Sequence, residues 1–264
     1  VLNAFYRQAK YGVRSDWGLT GARMLADDSA ALVVVDVLSF TTSVSIAVSR
    51  RWAVLPYQWG RESAPSHASI HAATLAVGRH QVNESQPWSL SPASLMSAPD
   101  PMNKRLVLPS PNGSTISFEG QGSCERVLVS SLRNARSVAS ALGSAGYGTL
   151  DKPIVVIASG EQWPDNTIRP GLEDALGAGY LISLLISAGA DASPEAIALS
   201  KAWRTTKDVS RTVHECASGQ ELIDDGYESD VAVAAQVDVD TSVPVLVAAK
   251  FRHTDKLEEI ASRS

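Results

Sequence analysis

An aspartate at the end of a dense apolar run is the first residue in this chain with chemistry to offer. Asp36 follows the run Ala30-Ala-Leu-Val-Val-Val, and hydroxyls come after it at Ser39, Thr41, Thr42 and Ser43. A carboxylate in that place is a hard oxygen donor for a cation such as Mg²⁺. Hydroxyls opening a helix act as caps, and the first N–H groups of that helix are able to hold an anion. Taken alone, Asp36 reads equally well as a helix cap. Two more acids, Glu173 and Asp174, open an apolar helical pattern behind a loop rich in Gly, Pro and Asn. Acids in a first turn favour the helix dipole. The same pair is also placed to join Asp36 as oxygen ligands of Mg²⁺. Asn112-Gly113-Ser114 offers N–H groups and an amide to an oxyanion, or forms a simple turn. Ser131 and Asn134 either do the same from the next strand or cap its helix.

Several familiar signatures are missing. The chain has no G-x-x-x-x-G-K-[ST] phosphate loop and no G-x-S-x-G elbow. Ser130 stands where a cysteine-phosphatase loop starting at Cys124 would need arginine, and Asp36 lacks the second aspartate of the haloacid-dehalogenase type. His67 and His71 have the spacing of a zinc pair, but no third ligand accompanies them, so an ordinary helix face is the expectation.

The elements that must position these residues follow from the hydrophobic pattern. The run ending at Asp36 reads as a strand buried on both faces, with the acid at its carboxyl end, where open α/β sheets bind ligands. Further strands are expected at 52–57, 105–108, 126–129, 153–158 and 244–249, with an edge strand or short helix within 1–29. Helices are expected at 42–51, 66–77, 135–142, 172–187, 194–207, 210–217 and 219–225, and the polar tail after 255 reads as a helical end. Residues 79–103, rich in Pro and Ser, lack a period. Trp88, Leu90, Leu95 and Met96 make this an ordered loop packed on the body and over the site. Strands that alternate with helices and end in Ser, Thr, Asn or Asp predict a layered α/β fold, a mostly parallel sheet flanked by helices.

The 264 residues suffice for a single unit over 1–264; two sub-domains are the alternative, and no boundary for them is visible. With 44% apolar and 19% charged residues the composition is that of a globular protein. A net charge of −5 argues against a nucleic-acid surface, which needs a basic face. No apolar run approaches the ~20 residues of a membrane span. The first ten residues lack the core of an export peptide. The cytoplasm is therefore the expected location, and Cys124 and Cys216 are expected as free thiols. A homodimer is the base-rate expectation for assembly.

The order of motifs then carries a resemblance. It runs V-V-V-D-V-L-x-x-T-T at 33–42, S-P at 91–92, P-N-G-S at 111–114, S-x-x-N-A at 131–135, and A-S-G at 158–160. L-E-D-A-L-x-A-G at 172–179 and S-G-x-E-L-x-x-x-G-Y-x-x-D-V-x-x-A-A-Q at 218–236 complete it. In this order and spacing the chain resembles the 2-phosphosulfolactate phosphatase family over nearly its whole length. The resemblance implies a Mg²⁺-dependent hydrolysis of 2-phosphosulfolactate to sulfolactate and phosphate, a step toward coenzyme M in methanogens, on a fold particular to the family. It implies Asp36, Glu173 and Asp174 as catalytic, metal-holding acids. Thr41, Thr42, Arg79, Asn112, Gly113, Ser114, Ser131 and Asn134 would contact a small phosphorylated anion. Three departures stand out: Ser39 and Thr115 occupy places where the family usually has arginine, and the family's Gly-rich G-E-R loop is reduced to V-G-R at 77–79, where Arg79 would be the retained arginine. Arg61, Arg133 or Arg169 would then substitute, or the substrate would differ. The alternative function is a relative that binds a small anion without turning it over.

Overall fold

A computed structural model describes residue 3 and residues 5–260. Its centre is a mixed nine-stranded sheet in the order β1-β7-β2-β6-β10-β11-β3-β5-β4. The strands are β1 (Val13–Trp17), β2 (Ala31–Val35), β3 (Ala53–Gln58), β4 (Thr74–Leu75), β5 (Arg105–Ser110), β6 (Arg126–Ser130), β7 (Ile154–Ala158), β10 (Pro244–Val247) and β11 (Lys250–His253). Two parallel blocks make up most of it, β1-β7-β2-β6 and β3-β5-β4. The antiparallel β10–β11 hairpin lies between them. Its strand pairing to each block is antiparallel and is made by one residue pair, Val245 with Leu128 and Phe251 with Val54. A separate two-stranded ribbon, β8 (Glu161–Gln162) and β9 (Ile168–Arg169), follows β7.

β2 shows why the sheet holds together. All five of its residues are buried. Ala31, Val33 and Val35 face one apolar core, and Leu32 and Val34 face the other. Alternation with both sets apolar is what a central strand covered by helices requires. The helices are α1 (Gly18–Leu25), α2 (Phe40–Ser49), α3 (Ala64–Ile70), α4 (Pro92–Ser97), α5 (Gly113–Glu119), α6 (Ala135–Ser144), α7 (Leu172–Ser187), α8 (Pro194–Thr205), α9 (Val209–Glu215), α10 (Ala217–Asp224) and α11 (Glu228–Ala234). None is long and apolar enough to cross a membrane, among the described residues.

α7 is laid against β2 by its small residues. A Cβ on Gly177 would meet the Val37 and Val35 side chains at 2.7 and 2.8 Å, and one on Gly179 would meet the Leu199 carbonyl oxygen of α8 at 2.2 Å. The L-E-D-A-L-x-A-G segment is thus a packing motif as well as a source of acids.

The expected layered α/β fold is the observed one. Local differences are informative. The helix expected over 66–77 ends at Ile70 and gives way to the edge strand β4. Residues 255–260 form turns instead of a helical end, and 261–264 lie outside the described residues. Residues 79–103 are ordered as expected, with Leu95 fully buried, and contain α4. Cys216 is a buried free thiol. His67 stacks between Tyr57 and His71, with ring centroids 4.5 and 4.4 Å away, as an aromatic column.

Candidate active site

Asp36 leaves β2 at its carboxyl end and is 6% exposed. Its Oδ1 accepts the Phe40 N–H at 2.9 Å, and its Oδ2 accepts the Gly113 N–H at 2.8 Å. The carboxylate therefore caps α2 and at the same time ties the end of β2 to the turn after β5. Gly113 must be glycine for this approach: a Cβ there would lie 2.6 Å from Asp36 Oδ2 and 2.7 Å from the Phe40 ring. Next to Gly113, the Asn112 amide donates to Glu161 Oε2 at 2.8 Å. Glu161 stands at the start of β8, two residues past the Ser159 that follows β7.

These groups converge on a cavity of about 370 Å³. Asp36, Asn112 and Glu161 form its acidic and amide side, and Arg79 and Arg169 supply positive charge. Ser39 also lines it, as do two further acids, Glu221 and Asp225, and Glu221 lies 3.4 Å from Arg169. A second cavity of about 420 Å³ shares Asn112 and Glu161 and is otherwise lined by neutral groups such as Trp17, Thr115 and Thr167.

Four carboxylates crowd the region and act on one another. Burial pushes the Glu161 carboxyl up to about 8, and the neighbouring charges of Asp36 and Glu173 push the same way. Burial also raises Asp36, with Glu173 adding to it. Asp174 is held well above the usual range by burial, then by Glu173 and Asp36. Like charges in a poorly solvated place resist ionising together. The Cys216 thiol, 3.3 Å from Glu173 Oε2, is pushed up to about 12 by burial and by that carboxylate.

Sequence-predicted residues divide cleanly. Asp36, Arg79 and Asn112 line the cavity, and the Gly113 N–H holds Asp36. Glu173 and Asp174 are 1% and 3% exposed and do not reach its wall. Asp174 is a strut: Oδ1 accepts Val37 N–H at 2.7 Å and Oδ2 accepts Gly160 N–H at 2.8 Å, joining the chain after β2 to the chain after β7. The five expected hydroxyl and amide contacts are not brought to the cavity. Thr41 and Thr42 donate to the carbonyls of Asp36 and Val37. Ser114 donates to the Ser110 carbonyl. Asn134 accepts from Ser131 N–H and donates to the Ser242 carbonyl. All five are fully buried and hold their own turns. Of the three arginines offered as substitutes, Arg61 bonds Gln58 on the surface and Arg133 is buried against the Val233 carbonyl. Only Arg169 faces the cavity.

Glu161 was missed at the sequence level as a site residue. Its signal is the one that singled out Asp36, an acid just past a fully apolar strand, but the turn Ala158-Ser-Gly separates it from the run. For a divalent cation the donor set fits in chemistry. Of the four acids that line the cavity, Asp36 and Glu161 lie on the side held by Gly113 and Asn112, and they match the one or two carboxylates that magnesium takes from a protein. No group of three or more His, Cys, Asp or Glu is arranged to hold a metal ion among the described residues. The trio Asp36, Glu173 and Asp174 is accordingly not assembled as a cage.

Comparison with known proteins agrees with the motif order. A family model described as 2-phosphosulpholactate phosphatase matches residues 21–249. Two curated relatives from Prochlorococcus marinus, strains MIT 9303 and MIT 9313, are each named "Probable 2-phosphosulfolactate phosphatase". Each is 27% identical to this chain, and each alignment covers 82% of the chain and 89% of the relative.

Proposed function

We propose, on the premise that this chain belongs to the 2-phosphosulpholactate phosphatase family, that it is a phosphoric monoester hydrolase that releases phosphate from 2-phosphosulfolactate with the help of Mg²⁺. The observation that carries the reading is the cavity in which Asp36, Asn112 and Glu161 face Arg79 and Arg169. Such a cavity has acids to hold a cation near a phosphoryl group and guanidinium groups to hold the other end of an anionic substrate.

Asp36 and Glu161 would hold the Mg²⁺, with the charge of Glu173 adding to the attraction. The chemistry supplied by the bound ion is neutralisation of the phosphoryl oxygens. The protein's own part is positional. Gly113 and Phe40 N–H groups fix both Asp36 oxygens. Asn112 fixes Glu161. Arg79 and Arg169 bind the carboxylate or sulfonate, so that the phosphoryl group rests beside Asp36. Water attacks phosphorus, the bond from phosphorus to the ester oxygen breaks, and sulfolactate and phosphate leave. Asp36 orients that water in this reading and is not itself phosphorylated.

The test is phosphate release from 2-phosphosulfolactate after chelation and re-addition of Mg²⁺. Release should require the ion, and Asp36→Asn should reduce it by roughly 100-fold or more, the loss typical of a key charge in an active site. Wild-type protein that releases no phosphate in the presence of Mg²⁺, while 2-phosphosulfolactate raises its melting temperature, would instead support an anion-binding relative without turnover.

A further inference from the structure

Arg79 is held in the cavity from behind. Its Nε donates to Asp230 Oδ2 at 3.2 Å. Its Nη2 donates to Ser39 Oγ at 2.6 Å and to the Leu90 carbonyl at 3.2 Å. Its guanidinium carbon lies 5.5 Å from the centre of the Tyr227 ring. Nη1 has no protein partner among the described residues, and Arg79 lines the cavity. Three sides of the guanidinium are therefore fixed by the protein, and the remaining nitrogen is left for a ligand.

Asp230 is the unusual member of this set. Its side chain is 0% exposed, whereas that of Arg79 is 18% exposed. It lies on α11, far along the chain from Arg79. Besides Arg79, it accepts the Ser91 hydroxyl at 2.6 Å and the Ala93 N–H at 3.0 Å, both on Oδ1. Those bonds tie the start of α4 to α11. A fully buried carboxylate is costly unless it is paired and hydrogen-bonded, and this one is both. One oxygen thus anchors the start of α4, next to the Leu90 carbonyl that Arg79 also bonds, and the other orients the guanidinium.

We infer that Asp230 is a positioning residue for substrate recognition: it aims Nη1 of Arg79 at the second anionic group of the phosphorylated substrate, without touching the reacting phosphoryl group. This rests on the proposed phosphatase reading for its substrate but not for its binding test. Removing the charge of Asp230 leaves Arg79 unaimed, so it should weaken binding of the anionic end and spare the chemistry.

Asp230→Asn is the variant of choice, because an amide oxygen still accepts from Ser91 and Ala93. With 2-phosphosulfolactate it should raise KM about tenfold and leave kcat within twofold, the pattern of lost uniform binding. With p-nitrophenyl phosphate, which has no second anion, neither constant should move. Arg79→Gln should raise KM for 2-phosphosulfolactate at least as much, and the double variant should be no worse than Arg79→Gln alone, since the two residues act as one unit. Calorimetric binding of sulfolactate should weaken about tenfold in both single variants. That arm reads the inference even if no substrate is turned over, the outcome that would sink the phosphatase reading alone. Additive losses in the double variant, an equal loss with both substrates, or sulfolactate binding that Arg79→Gln leaves unchanged would overturn the assignment. If Asp230→Asn does not fold, the Arg79→Gln binding and KM measurements decide.

Discussion

At the scale of the residue, the site is a problem of excess negative charge. Glu161 carries its proton up to about 8 because burial and the charges of Asp36 and Glu173 oppose its ionisation. A free glutamate titrates near 4.3. Between those values the folded chain binds more protons than the unfolded chain, so stability falls as pH rises across the interval. The contribution is fully present below about 4.5 and is lost as pH climbs through about 8. In metal-free buffer the urea midpoint should therefore decline from pH 5 to pH 8. Glu161→Gln should flatten the decline, leaving the part due to Asp36 and Asp174, whose raised values act with the same sign. Equal slopes in variant and wild type would contradict the assignment. Legibility at this scale followed chemistry more than position. Asp36 and Asn112, each just past a strand, and Arg79, known only from the motif order, are the predicted polar side chains that line the cavity. Thr41, Thr42, Ser114, Ser131 and Asn134 bond their own turns and do not line the cavity, a difference the sequence does not carry, because a hydroxyl or amide that closes its own turn has the same sequence as one that faces a ligand.

At the scale of the element, α7 does two jobs. Its first turn supplies Asp174, the link between the ends of β2 and β7, and its glycines let it lie close to β2 and α8. Gly179→Ala places a methyl 2.2 Å from the Leu199 carbonyl oxygen, so it should destabilise the protein by about 1–3 kcal/mol, as overpacking does. Gly143→Ala in α6 meets nothing within 4 Å. It should stabilise by about 0.5–1 kcal/mol through helix propensity and a less flexible unfolded chain. Parallel thermal melts of the two variants check both signs at once. The sequence marked α7 to the residue, because a long apolar segment bounded by Gly171 and Gly189 has clear ends. It did not mark β8, β9, β11 or α11. The two residues of β8 and of β9 have no period to read, β11 has one apolar residue among three basic ones, and α11 follows α10 after the brief turn at Gly226. β4 was absorbed into a helix because the pattern through Ala73, Leu75 and Val77 serves either structure.

At the scale of the whole molecule, a chain with a net charge of −5 gathers several of its acids in one buried region. A divalent cation that binds there should stabilise the folded protein by mass action, about 2.7 kcal/mol at a hundred times its dissociation constant. Mg²⁺ titrated into chelated protein should raise the melting temperature, sodium at matched ionic strength should not reproduce the rise, and Asp36→Asn should abolish it. The layered α/β architecture was legible because β2, β5, β6 and β7 each carry an apolar run of three or more residues, and a helical pattern follows each of them before the next long strand. The order of strands was not, because pairing between blocks depends on contacts far apart in sequence. That order bears on how the protein is made. β10 and β11 follow every other strand of the sheet in the chain, yet they sit between its two blocks. A growing polypeptide can therefore assemble β1, β7, β2 and β6, and separately β3, β5 and β4, while β6 and β3 still present unpaired edges. Until residues 244–253 emerge from the ribosome those edges stay open to pairing with other chains, so a chain truncated before Pro244 should aggregate more readily than the full chain, as light scattering during refolding would show.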